Sequence, residues 1–437
     1  MFGIIEIGIE LSRSALKTEP LRKLISDKDS KYDVVITETG LFHEPFVAFG
    51  HKFNATIIDI SSVFLFPRSA YVTGNHMPTT YVPVGFYFSF HDRMTFVERV
   101  KNTFLYYWDV FYAKLYYYKK QDALMREHFI YPGSENIPDL EYMISNTALT
   151  LMEHDLAVGY PVPLHKNVVQ VSGVGLKTPD PLPQDLQKFM DESKNGVIYF
   201  SFGSLFNITS LRPETQQAII NALSTFTKYK NVLMKINDEN LGAKLSSKNF
   251  VIKPWFPQRS ILAHPNCDLF ITHGGLHGTM EGFYHGVPMV VMPVVSDQLY
   301  NAKIIETHGL GLSLDSQSIT EQQLIDTINE VLKNPKYREN ARKRSAIFKD
   351  KPISPMDNAI YWIEYVIRHK GAPHLRPAVL DLYWYQRLML DVIVFYLFIS
   401  AILIFILYLI LKLFHRCLCI LISSLFFRDN QTKFKKL

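Results

Sequence analysis

The chain has 437 residues, 48% of them hydrophobic, and a net charge of +5 from 46 basic and 41 acidic residues. That length holds two or three domains with sizeable cores. The charge is dispersed, without a basic footprint for nucleic acid, and three cysteines exclude a disulfide-dense scaffold.

The first stretch, MFGIIEIGIELSRSALK, has no basic start and carries Glu6 and Glu10 inside its apolar run. It is not a signal peptide. KYDVVIT, ending at Glu38, and FNATIIDIS, residues 53–61, read as strands. HEPFVAFGHKF between them reads as a helix, so a parallel βαβ arrangement is expected. From Tyr87 to Phe129 the chain is rich in aromatics at helical spacing. That segment suits ordinary core, a wall for an apolar ligand or a surface lying on a membrane.

Pro161, Pro163, Gly173, Gly175, Pro179, Pro181 and Pro183 mark a domain boundary. A second alternating series follows: GVIYFSFGS, NVLMKI, FVIKPW, CDLFIT and VPMVVMPV as strands, with helical segments between most of them. ITEQQLIDTINEVLKN is an amphipathic helix whose capping box is Thr320 and Gln323. This predicts a doubly wound α/β domain with ligands outside the carboxyl ends of its strands.

Val392 to Leu411 is uncharged over twenty residues, about 30 Å of helix, enough to cross a bilayer core. Lys412, His415, Arg416 and Arg428 follow it. This basic excess puts the C-terminal side in the cytosol and the bulk of the chain on the other side. The final KFKKL resembles a dilysine retrieval signal of the endoplasmic reticulum, and equally suits a basic anchor for acidic lipids. Asn54 in NAT and Asn207 in NIT are candidate glycosylation acceptors.

Chemistry concentrates in ITHGGLHGTMEGFYHG, Ile271 to Gly286. A metal site there is disfavoured, because Gly274 stands where a metalloprotease helix needs Glu, and no carboxylate or cysteine completes a compact set. A phosphate site fits better. A strand delivers His273, Gly274 and Gly275 open the turn, and a helix begins with free N–H groups. Glu281 lies one helical turn after His277, placed to accept from sugar hydroxyls. On these residues alone, a plain strand–turn–helix with a satisfied histidine explains the pattern equally well. The flanks favour a ligand: Trp255 and Gln258 end one strand, Asp297 and Gln298 another. An aromatic face, an amide, a phosphate turn and two carboxylates then fall on one edge of the sheet.

From Trp255 to Gln298 the sequence resembles the signature of the UDP-glycosyltransferases, the membrane-bound animal branch of family 1. The likeness continues through DNAIYWIEYVIRHKGAPHLRPA into the apolar span, and back through GVIYFSFGS, the proline-rich stretch and YDVVITE. It implies an α/β GT-B architecture: two Rossmann-like domains facing across a cleft, plus one C-terminal transmembrane helix. The implied divisions are 1–170 for the acceptor, 171–355 for the UDP-sugar, 356–390 as helices leading to the membrane, 391–412 as the span and 413–437 as a cytosolic tail.

The resemblance further implies that Trp255 stacks on uracil and Gln258 supports the nucleoside. His273, Gly278 and the Ser201–Gly203–Ser204 turn would hold the diphosphate, with His277 where the family often has Asn. Glu281 would take the ribose hydroxyls, and Asp297 and Gln298 the sugar. The implied reaction is inverting transfer of a hexose, glucose favoured over glucuronate, to a small lipophilic acceptor. A catalytically weak or inactive binder or regulator is the alternative. Glu38 matches the acid that orients the base. The base histidine is expected upstream of Met1 together with a signal peptide, since His43, His51 and His91 do not match its place. The expected partners are UDP-sugar, the acceptor, the lipid bilayer and homo- or hetero-oligomers, with no nucleic acid, no metal and no cofactor. The expected location is a single-pass endoplasmic-reticulum membrane protein with lumenal domains.

Overall fold

A computed structural model describes residues 2–85, 89–238 and 245–434. Two compact units emerge, Met1–Pro377 and Ala378–Leu437.

The first unit contains two parallel sheets. The smaller one is built from β1 (Val34–Thr37), β2 (Thr56–Ser61), β3 (Leu149–Met152) and β4 (Val168–Gln170), in that spatial order. The larger one is built from β5 (Val197–Ser201), β6 (Asn231–Lys235), β7 (Phe250–Lys253), β8 (Cys267–Thr272), β9 (Met289–Val291) and β10 (Gly311–Ser313). Its order is β10-β9-β8-β5-β6-β7. From β5 the chain winds outward through β6 and β7, and from β8 it winds the opposite way. The direction therefore reverses between β5 and β8, where a crevice opens beyond the strand ends.

The larger sheet is covered on both faces, which explains strands with almost no polar residue. Successive side chains alternate between two cores. Val197, Tyr199, Leu233, Phe270, Met289 and Val291 enter one. Ile198, Phe200, Val232, Met234, Leu269 and Ile271 enter the other. The first core is closed by helices that include Leu276–His285 and Pro335–Lys349, the second by Pro213–Phe226 and Glu321–Lys333. The expected capping box is formed: Thr320 accepts from the Gln323 amide, and the Gln323 side chain accepts from the Thr320 amide.

Around the smaller sheet the elements are shorter. The aromatic segment forms a helix, Phe96–Tyr112, started by a Thr95–Glu98 capping box, then a π-helical turn and a helix Tyr118–His128. The expected start of this segment, Tyr87, lies outside the described residues. Asn102, Tyr106, Asp109 and Val110 face inward. Val97, Val100, Phe104, Trp108, Phe111 and Leu115 are exposed. Their three- and four-residue spacing puts them along one face.

The helix Pro355–Arg368, grouped by sequence with the segment leading to the membrane, packs on the smaller sheet instead. Ala359 and Val366 share a core with Ile58, Leu149 and Leu151. The Asn358 amide donates to the Gln170 carbonyl at 3.2 Å. Periodicity marks an apolar face but not the sheet it covers.

In the second unit, Leu390–Phe434 forms one helix of 45 residues. Its stretch Leu390–Ser424 is the one helix among the described residues that is long and apolar enough to cross a membrane. Of the dilysine pair, Lys433 and Lys435, the second lies outside the described residues.

Candidate UDP-sugar site

The polar residues singled out in the second half converge on the carboxyl ends of β5, β7, β8 and β9. β5 runs into Gly203, whose φ of +74° suits glycine. The buried Ser201 hydroxyl accepts from the Gly203 amide at 3.3 Å, and Ser204 is exposed on the same turn. β8 delivers His273 beside it. A Cβ on Gly203 would come within 2.8 Å of the His273 ring, and a Cβ on Gly275 within 2.6 Å. The imidazole thus occupies space that two glycines vacate. Burial, with the Lys235 charge adding to it, pushes its pKa down to about 4. At neutral pH His273 is an uncharged donor and acceptor.

Gly274, at φ +85°, makes the turn, and the helix Leu276–His285 starts after Gly275. Its first amides have no carbonyl one turn earlier to bond, so they attract anions. Asp297 takes one of them: its carboxylate accepts from the Leu276 amide at 3.2 Å and from the Asn301 side chain at 2.8 Å. Asn301 also donates to the Gly274 carbonyl at 2.9 Å, which ties the phosphate turn to the Asp297 loop. Burial raises the Asp297 pKa. The Gln298 side-chain carbonyl accepts from the Val294 and Val295 amides at 2.8 and 3.0 Å. Both residues therefore hold the loop as well as lying at the site.

Gln258 donates to Glu281 at 2.8 Å and accepts from the Tyr199 hydroxyl at 3.2 Å. Arg259 lies 3.5 Å from the other Glu281 oxygen. Gly278 lies against this pair, and a Cβ there would be in ordinary contact with the Gln258 amide nitrogen at 3.4 Å. His277 is exposed one turn before Glu281. Trp255 is 68% exposed, available for a planar ligand.

One residue was missed in the sequence. Lys235, the last residue of β6, donates to the Gly203 carbonyl at 2.7 Å and sits 4.5 Å from the Trp255 ring centroid. It joins the aromatic face to the phosphate turn. A lysine at a strand end is commonplace. Only the pairing of Lys235 with Lys253, two residues before Trp255, reveals it.

In the first half, Glu38 follows β1 and accepts from the Ser62 amide at 3.0 Å and from the Ser62 hydroxyl. Nearby, an apolar pocket is lined by Phe64, Met77, Val82, Met152 and Leu164, with Tyr300 from the other half. The three histidines weighed as bases make other contacts. His43 stacks on Phe46, His51 meets the Tyr131 hydroxyl at 2.8 Å, and His91 accepts from the Arg93 amide at 2.9 Å. Of the sequons, Asn54 is exposed at a helix end, while the Asn207 amide donates to the Asn237 carbonyl at 3.3 Å.

Two Rossmann-like parallel sheets, with polar groups gathered at a switch point, define a protein of GT-B architecture. A solved structure described as the glycotransferase of kitacinnamycin has the same fold: TM-score 0.54 over 83% of this chain and 81% of that one, at 17% identity. The family model for UDP-glucoronosyl and UDP-glucosyl transferase matches residues 20–422. UDP-glycosyltransferase UGT5 of Dactylopius coccus is 39% identical over 93% of this chain and 75% of its own length. UDP-glucuronosyltransferase 1A6 of Mus musculus is 35% identical over 87% and 69%. The chain belongs to the UDP-glycosyltransferase family.

Proposed function

We propose that this chain binds a UDP-hexose at the β5–β8 crevice and transfers the sugar, with inversion, to a small lipophilic acceptor. The observation that carries this reading is the continuous set Trp255, Lys235, Gly203 and His273 against the start of the helix Leu276–His285. Trp255 stacks on the base. Lys235, His273 and the helix amides stabilise the diphosphate as it leaves. These donors do the work without a metal or a cofactor. Glu281 receives the ribose hydroxyls beside Gln258, and Asp297 with Gln298 meets the hexose. Glucose is the favoured donor, glucuronate the second. The acceptor lies in the apolar pocket beside Tyr300, near Glu38, which orients the base.

Separate titrations of UDP and UDP-glucose test the sugar assignment. Asp297→Asn keeps an acceptor for the Leu276 amide, so it should hold UDP as the unaltered protein does and weaken UDP-glucose about tenfold, the loss of about one charge-assisted hydrogen bond. Equal weakening of both ligands would remove Asp297 from the hexose.

The apolar helix anchors the chain, and we place it in the endoplasmic-reticulum membrane with the two sheets lumenal and Lys412 to the C-terminus cytosolic. The exposed stripe from Val97 to Leu115, with Trp108 in it and Lys101 and Lys114 alongside, suits a helix lying in a bilayer surface. Glycosidase treatment of membrane-inserted protein should increase its gel mobility through Asn54. An unchanged mobility, with both sequons shown to be accessible, would count against this orientation. Homo- or hetero-oligomers remain part of the family-based reading.

A further inference from the structure

The membrane helix carries two thiols that sugar transfer does not use. Its uncharged span, Val392 to Leu411, ends at Lys412, His415 and Arg416. Those cations sit at the level of the lipid headgroups. The helix continues past them, and a second uncharged run, Cys417 to Phe427, follows. Eleven residues are too few to cross the bilayer again. The unbroken helix carries this run past the cations with Leu418, Ile420, Leu421 and Ile422 exposed, an apolar surface just beyond the span.

Cys417 and Cys419 open this run, and both are exposed. Two residues apart on a helix means about 200° of rotation. Whichever face turns toward lipid, one of the two thiols lies near the lipid–water boundary. His415, one turn before Cys419, places its Nδ1 3.4 Å from the Cys419 sulfur, in position to take the thiol proton. Cys267, the third cysteine, is buried in β8, and its burial pushes the thiol up to about 12.

We propose that Cys417 and Cys419 are S-acylation sites whose acyl chains enter the cytosolic leaflet beside the emerging helix. The donor is a long-chain acyl-coenzyme A. The cysteine sulfur attacks the thioester carbonyl, a new sulfur–acyl bond forms, and the bond to the coenzyme sulfur breaks. The thiol proton passes, through His415 at Cys419, to the departing coenzyme thiolate. Nothing is oxidised or reduced. The proposal rests on the orientation given above, because acyl-coenzyme A is cytosolic.

The test uses the full chain in cell membranes. Free thiols are blocked, thioesters are cleaved with hydroxylamine, and the released thiols are tagged with a polyethylene-glycol maleimide. One or two mass increments that require hydroxylamine are expected. Cys417→Ser and Cys419→Ser should each remove their own increment, and the double variant should show none. Absence of any hydroxylamine-dependent increment overturns the proposal, as does an increment that survives the double variant. A parallel tagging of sealed vesicles, after hydroxylamine, separates the two readings. Thiols that react without permeabilisation but were never acylated refute acylation alone. Thiols that react only after permeabilisation refute the orientation, and acylation with it.

Discussion

The halves built on the two sheets treat buried polarity in opposite ways. Around the smaller sheet it is sealed in the core. Glu44 and Asp59 are buried carboxylates whose desolvation pushes each up to about 7. Tyr117 donates to Glu44 at 2.7 Å, and the Thr39 amide and hydroxyl donate to Asp59 at 2.7 and 2.9 Å. Arg68 pairs with Asp109 at 3.3 Å, both almost inaccessible. Around the larger sheet the core is apolar on both faces, and polar groups gather at strand ends. At the end of β8 burial pushes His273 down to about 4, and at two helix ends it does the same to His285 and His308. Polarity in the first half is locked into the core, and much of the polarity in the second is gathered at the carboxyl ends of the strands.

The largest effect should come from breaking the sealed pair. Asp109→Ala leaves Arg68 charged and buried, with its bond to the Gly40 carbonyl but not its carboxylate. Denaturant unfolding should show a loss of about 3–5 kcal/mol. The surviving folded protein should still bind UDP normally. A matching loss of UDP affinity would mean that the halves do not divide these tasks.

Trp255→Ala should do the converse. UDP affinity measured by calorimetry should fall by about 1–3 kcal/mol, in line with losing one stacked base. The unfolding midpoint should scarcely move, because the indole is mostly exposed. A large drop in stability would assign Trp255 to the fold.

Acid gives the subtlest contrast. A histidine whose folded pKa is depressed to about 4 binds fewer protons than its unfolded form, near 6.5. Its contribution is present above 6.5 and is lost as the pH falls toward 4. Glu44 and Asp59 have the opposite sign. Their folded forms hold protons up to about 7, so they add stability as the pH falls from 7 toward 4. Hydrogen exchange across that window should show peptides of β8 and the helix Leu276–His285 losing protection before those of β2. Earlier opening of β2 would contradict the assignment of signs.

The same division governed what could be read from sequence. Strand-end residues such as His273, Gly274 and Asp297 announce themselves, because glycine or a polar group directly after an apolar strand has few other reasons to be there. The core network of the first half did not. Glu44 and Tyr117 are 73 positions apart, and nothing local to either signals the other. Asp297 was legible as a polar strand-end residue, but its bond to the Leu276 amide depends on β8 and β9 being neighbours. The switch point followed from strand order, which local patterns leave open.

The slot around His273 has a consequence for recombination. Gly203 follows β5 and Gly275 follows β8, yet each leaves its space to the same imidazole. The two loops behave as halves of one mould. Grafting the β5 loop of a relative onto this chain will succeed only if position 203 stays glycine, because its φ of +74° strains a side chain even where residue 273 shrinks. Variation in this crevice therefore proceeds by paired exchange of residues 273 and 275, and a library that randomises the β5 loop alone will mostly return glycine at 203.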